Sequence, residues 1–164
     1  MKRLTLLGAV LALVLAACGG SGKQSGNQQS LQRTADMYSI DQIEKTWHKA
    51  ASTHNVNLMM TLWAPDATFV IGTEVLKGRA QIRNFFAHTA APFQPQNHWL
   101  SDTPAYKVRI TVNGNKGTLY FECHYIDVKT QKVVSVAGAD QNVQKIGGKW
   151  MITSSAGATP TLEP

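Results

Sequence analysis

One stretch constrains the fold more than any other: His54 to Phe86, HNVNLMMTLWAPDATFVIGTEVLKGRAQIRNFF. Leu58, Met59 and Leu62 give a short helix an apolar side, and Asn57 stands where an N-cap belongs. Pro65-Asp66 stops that helix. Ala67 to Ile71 is β-branched and aromatic, which predicts a strand. Gly72 and Gly78 bracket a turn and a short return strand. Ile82, Phe85 and Phe86 then recur at helical spacing behind Gly78.

The flanks extend this pattern in two directions. Upstream, Ser39-Ile40-Asp41-Gln42 reads as a capping box, with Tyr38 placed to staple onto Ile43. Ile40, Ile43, Trp47, Ala50 and Ala51 form one apolar stripe, so a helix is expected from about Ser39 to His54-Asn55. His48 and His54 do not share a face of that helix and are poor metal partners; both read as solvated. Downstream, Ala91 to Asn97 is a loop, and long strands follow. Val108, Ile110 and Val112 share one face, and Asn113 to Gly117 is a turn. Thr118 to Val128 is the clearest strand. Leu119, Phe121, Cys123 and Tyr125 share one face of it; Tyr120, Glu122, His124 and Ile126 share the other. Val133 to Ile146 is a further long strand, where Ala137-Gly138-Ala139 invites a bulge or a close backbone approach. Gly147-Gly148 turns the chain into a last strand, Lys149 to Ser154. Helices first and antiparallel strands after predict an α+β fold.

The run N-V-N-x-x-M-x-L-W-A-P-D-A-T-F from Asn55, then K-G-R-x-x-I-R-x-F-F from Lys77, resembles the nuclear transport factor 2-like superfamily in its SnoaL-like (polyketide cyclase) branch. The resemblance covers about Ile40 to Ser154. It implies a strongly curved, mostly antiparallel sheet wrapped around the N-terminal helices as a cone, with a pocket at the open end. It does not imply one activity, because the superfamily spans isomerases, dehydratases, dehydrochlorinases and proteins without chemistry.

Ketosteroid isomerases of this superfamily pair a carboxylate base with an oxyanion hole made by a tyrosine and a protonated acid. By resemblance, the base position falls on Ile71, which cannot accept a proton. The tyrosine position falls on Trp47, whose indole N–H can only donate. The oxyanion acid falls on Asp140, expected inside the cone and donating a hydrogen bond to a ligand carbonyl. The dehydrochlorinase relatives use a histidine held by an aspartate. His98 begins a similar strand, but Ala50-Ala51-Ser52-Thr53 offers no such aspartate. Trp63, Phe69, Phe86, Phe121, Cys123 and Tyr125 complete the expected pocket wall. His98 and Asp140 are the catalytic candidates. Glu122 and His124 are expected on the convex face, partly exposed, where relatives often dimerise.

The N-terminus carries a separate message. Lys2 and Arg3 precede an apolar run, Leu4 to Leu15, too short to span a bilayer. Leu15-Ala16-Ala17-Cys18 resembles a bacterial lipobox. That implies removal of Met1 to Ala17, diacylglyceryl transfer to the Cys18 sulfur and attachment to the cell envelope. Gly19, rather than Asp, after the cysteine implies the outer membrane in a Gram-negative cell. Cys18 to Met37 is rich in Gly, Ser, Gln and Asn and is expected to be a flexible tether. Tyr38 to the C-terminus is expected to be one domain. Cys123 is then left without a disulfide partner. The formal charge of +6 falls to +4 once Lys2 and Arg3 leave with the leader. The basic residues are scattered, which argues against nucleic acid as a partner.

The expected function is therefore a lipid-anchored module that binds a small hydrophobic ligand in an apolar cone. Neither a cofactor nor a metal is expected. Two alternatives stand beside it. One is an isomerase, dehydratase or lyase working from His98 or Asp140. The other is an assembly domain that pairs with a second copy, or an envelope partner, through the convex face.

Overall fold

The computed structural model describes residues 21–101 and 107–160. Cys18 and the expected leader lie outside them. Helix α1 runs Ser21–Ser52. Its second half buries Ile40, Ile43, Trp47, Ala50 and Ala51, the stripe that the spacing predicts. Its first half overlaps the expected tether but is helical, and residues 26–35 are exposed. The Ser39 capping box does not start the helix. Ser39 Oγ donates to the Ala35 carbonyl at 2.8 Å inside a continuous helix, an alternative use of a serine hydroxyl. What holds this part of α1 is Asp36. It is buried, pairs with Lys145, and accepts a hydrogen bond from Trp150 Nε1 at 2.9 Å. A local capping signature carries no information about partners so distant in sequence.

Helix α2 is Val56–Met60, and its N-cap is Asn55 rather than Asn57: the Leu58 N–H donates to Asn55 Oδ1 at 2.8 Å. Asn57 instead accepts from Arg83 Nη1 at 2.9 Å. Strands β1 (Trp63–Ile71) and β2 (Glu74–Lys77) form the expected hairpin, followed by helix α3 (Gly78–His88). A single 3-10 turn, Ala91–Phe93, precedes β3 (Trp99–Ser101), β4 (Val108–Asn113), β5 (Lys116–Asp127), β6 (Lys132–Ile146) and β7 (Lys149–Ala158).

The strand order is β2-β1-β7-β6-β5-β3, with β4 also paired to β5. Every pairing is antiparallel except β1 with β7. That parallel contact brings the last strand beside the first. The sheet is curved and unclosed, and α1 packs in its concavity. Register shifts fall between Tyr125 and Ile126 and between Asn142 and Val143, not at Ala137-Gly138-Ala139. Bulges of this kind bend a sheet locally. Gly138 answers the other half of the expectation, since a Cβ there would lie 2.7 Å from the Ala158 carbonyl oxygen.

The inner face of β5 is the predicted one: Leu119, Phe121, Cys123 and Tyr125 are all buried. The outer face differs from expectation. Tyr120 and Glu122 are also buried. Tyr120 donates its hydroxyl proton to Glu122, and the Arg109 guanidinium of β4 lies 3.9 Å over the Tyr120 ring. Only His124 and Ile126 remain half-exposed. The apolar part of the outer face is instead the row Leu100, Ile126 and Val133, neighbours across β3, β5 and β6.

Candidate functional site

The cone holds an apolar cavity of about 210 Å³. Trp47 of α1, Phe69 to Ile71 of β1 with Gly72 of the turn after it, and Phe85 of α3 form one side. Cys123 and Tyr125 of β5, Ala137 to Ala139 of β6, and Ala156 and Gly157 of β7 form the other. The space exists because β6 and β7 present only alanine and glycine here, opposite large rings. Trp47 is the hub of those rings. Its centroid lies 6.0 Å from Trp63, 6.4 Å from Phe69, 5.6 Å from Phe86 and 5.6 Å from Phe121. Trp63, Phe86 and Phe121 sit behind the wall as core, and do not line the cavity. Five of the expected wall residues do line it: Trp47, Phe69, Ile71, Cys123 and Tyr125.

The polar atoms of this wall are uncharged at neutral pH. Burial pushes the Cys123 thiol up to about 12. Burial also pushes the Tyr125 phenol well above its ordinary value; neighbouring Cys123 adds to this and a hydrogen bond with Trp47 opposes it. Among the described residues, no aspartate, glutamate, histidine, lysine or arginine lines the cavity. A wider, open groove of about 600 Å³ runs between α1–α2 and α3, past His54, Arg83 and His88, and is separate from the cone.

Residues 32–156 match the sequence profile of the SnoaL-like domain. The chain belongs to the SnoaL-like family. Solved structures agree with this at the level of the fold. A nuclear transport factor 2-like protein with a cystatin-like fold from Novosphingobium aromaticivorans superposes with a TM-score of 0.70 at 16% identity, covering 85% of this chain and 91% of that one. One of unknown function from Pseudomonas putida gives 0.66 at 13% identity, covering 77% and 88%. A hexachlorocyclohexane dehydrochlorinase gives 0.62 at 16% identity, covering 79% and 88%. No curated protein matches the chain significantly.

Within this SnoaL-like domain, neither catalytic candidate reaches the cavity. Asp140 is exposed and is the register partner of Tyr120, on the outer face of β5, which puts its side chain on the outer face of β6. Its expected place as a donor inside the cone is withdrawn. The inward residue is its neighbour Gln141, because a shift of one residue along a strand exchanges faces. His98 is also exposed, and belongs to a shallow cleft with Trp99, Asp127 and Lys129.

His48 departs furthest from expectation. It is fully buried rather than solvated. Its Nδ1 is hydrogen-bonded to Ser101 Oγ, and its Nε2 lies 3.2 Å from Glu44 Oε1. Cys123 Sγ is 4.0 Å from the same Nε2. Ser52 Oγ accepts from the Ser101 N–H at 2.8 Å. A serine, a histidine and a carboxylate in line resemble a nucleophilic relay. Here all three are buried, and none is among the described residues that line the cavity. The set is a polar strut that ties α1 to β3 behind the cavity wall. Its trace in the sequence is the spacing Ile40, Glu44, His48, Ala51, which puts both polar residues inside the apolar stripe.

Proposed function

We infer that the protein binds a small hydrophobic ligand in the cone, and does so at the bacterial cell envelope, held by a lipid on Cys18. The carrying observation is the composition of the cavity wall. It offers ring faces and small aliphatic groups, with no group able to take a proton at neutral pH. Isomerisation, dehydration and dehydrochlorination each need a base within hydrogen-bond reach of the substrate. Ile71 occupies the position where the resemblance places that base, and it lines the cavity. An enzyme working from His98 or Asp140 has no support in where those residues lie. The cavity is of the scale that takes one small ring system; a dry cavity of about 150 Å³ is enough for benzene.

Ala137 gives the test. It is exposed and lines the cavity mouth, so a large residue there obstructs entry without repacking the core. Full-length protein in detergent is titrated calorimetrically with 2-methylnaphthalene. Saturable binding with one site per chain is expected, and Ala137→Trp is expected to weaken it at least about tenfold, about 1.4 kcal/mol, at an unchanged melting temperature. Equal binding by the variant would place the ligand elsewhere.

A further inference from the structure

One row beneath the cavity, the inner face of the sheet carries polar groups that nothing among the described residues satisfies. Gln141 and Ser155 are register partners on β6 and β7 and are 4% and 3% exposed. Both carboxamide atoms of Gln141 and the hydroxyl of Ser155 are buried without a hydrogen-bond partner. Leu119 of β5 and Phe69 of β1 flank them in the same row, and both are buried, so the row faces inward. Buried polar groups are paired in the great majority of native proteins, and an unpaired cluster marks a partner that the chain itself does not supply.

Gln141 and Ser155 are not among the residues that line the cavity, and what separates them from it along the strands is small. The next row toward the mouth is Ala139 and Gly157, which are register partners and both line the cavity. Between them they present one methyl group. Two residues of strand span about 7 Å, a gap that a glutamine side chain and a ligand head group close together. The polar atoms of the cavity wall cannot play this part as readily, because Tyr125 hydrogen-bonds both Cys123 and Trp47. Gln141 offers donors and an acceptor, and the Ser155 hydroxyl offers both. A hydroxyl, itself donor and acceptor, complements that set. A carboxylate or phosphate does not, since no cationic residue lines the cavity to offset its burial.

We propose that Gln141 and Ser155 form the head-group site of the cavity and select a neutral, ring-sized ligand that bears a hydroxyl. The proposal rests on the cavity reading above, and narrows it from any hydrocarbon to an alcohol or phenol. The matched probes 2-naphthol and 2-methylnaphthalene, which differ by a hydroxyl in place of a methyl, test it by calorimetry on the full chain in detergent. The two probes partition differently into detergent, so each affinity is referred to the free aqueous probe, from a partition coefficient measured separately without protein. The wild type is expected to bind 2-naphthol at least about tenfold more tightly than 2-methylnaphthalene. Gln141→Met, close in shape but unable to hydrogen-bond in the same way, is expected to bring the ratio near one. Ser155→Ala, which removes one oxygen, is expected to lower it and serves where the first variant does not fold. A ratio near one in the wild type, or a ratio that neither variant changes, overturns the proposal and leaves the cavity reading standing; a pair that merely holds a fixed water gives the second result. Binding of neither probe overturns the cavity reading and this proposal with it.

Discussion

Ile71 and Cys123 face the same cavity, and neither exchanges a proton at neutral pH. For Cys123 this is a consequence of burial, which pushes its thiol from 9.0 up to about 12, while hydrogen bonds with Tyr125 and Ser101 oppose the shift only in part. The sign of the pH dependence follows. Between those values the unfolded chain gives up a proton that the folded chain keeps. The contribution to stability is intact below about 9 and is lost as pH rises toward about 12. The thiolate is the reactive form, so at pH 8 a shift of this size lowers its population about a thousandfold. Alkylation of Cys123, followed by mass spectrometry of its peptide, is expected to be slower by at least that factor in the native protein than in urea. Comparable rates would show that the thiol is open to solvent and ionised. The face of Cys123 was legible in the sequence because Leu119, Phe121 and Tyr125 alternate strongly with polar neighbours. The face of Asp140 was not. Ala137-Gly138-Ala139 carries almost no hydrophobic contrast, and without contrast a strand's two faces cannot be told apart. The same weakness hid Gln141, whose inward place appears only through its pairing with Leu119 and Ser155.

At the scale of elements, α1 shows where local sequence chemistry stops being informative. The hairpin β1–β2, helix α3 and the long strands were legible from periodicity and glycine turns. The start of α1 was not, because its anchor is made by β6 and β7. Burial alone would raise the Asp36 carboxyl. Hydrogen bonds with Lys145 and Trp150 outweigh it and hold the carboxyl below its ordinary value. Before Asp36, residues 26–35 are exposed; beyond a Gln32 hydrogen bond to Asp36 they contribute mainly their own helix propensity, which in a Gln- and Ser-rich segment is marginal. Asp36 should therefore divide the helix energetically. Asp36→Ala is expected to lower stability in urea by about 1–3 kcal/mol, the scale of hydrogen bonds to a charged group. In the wild type, amide exchange is expected to be fast across residues 26–35 and slow from about Ile40 onward. Unchanged stability, or equal protection on both sides of Asp36, would mean that the anchor is elsewhere.

The whole molecule joins a ligand-sized cavity to an N-terminus that resembles a lipoprotein leader. Among the described residues, no helix is long and apolar enough to cross a membrane. The attachment proposed above comes from the Leu15-Ala16-Ala17-Cys18 run, as acyl chains on Cys18. Two or three such chains hold a protein stably without a membrane span, whereas one gives only reversible binding. In its helical form the part of α1 from Ser21 to Asp36 covers about 22 Å at 1.5 Å per residue, the length of arm that would separate the domain from an anchor on Cys18. A ligand that partitions into the bilayer would reach a cavity so placed without crossing bulk solvent far. Cys18→Ala removes the sulfur that accepts the diacylglyceryl group and leaves every residue of the described domain unchanged. Fractionation of cells carrying this variant is expected to show the chain either soluble or retained at its unprocessed size, with the wild type processed and in the membrane fraction. The purified variant is expected to bind 2-methylnaphthalene as the wild type does, because Cys18 lies far outside the cone in sequence and the cavity wall is complete without it. A variant still membrane-bound at its processed size would mean that something other than Cys18 holds the protein to the envelope.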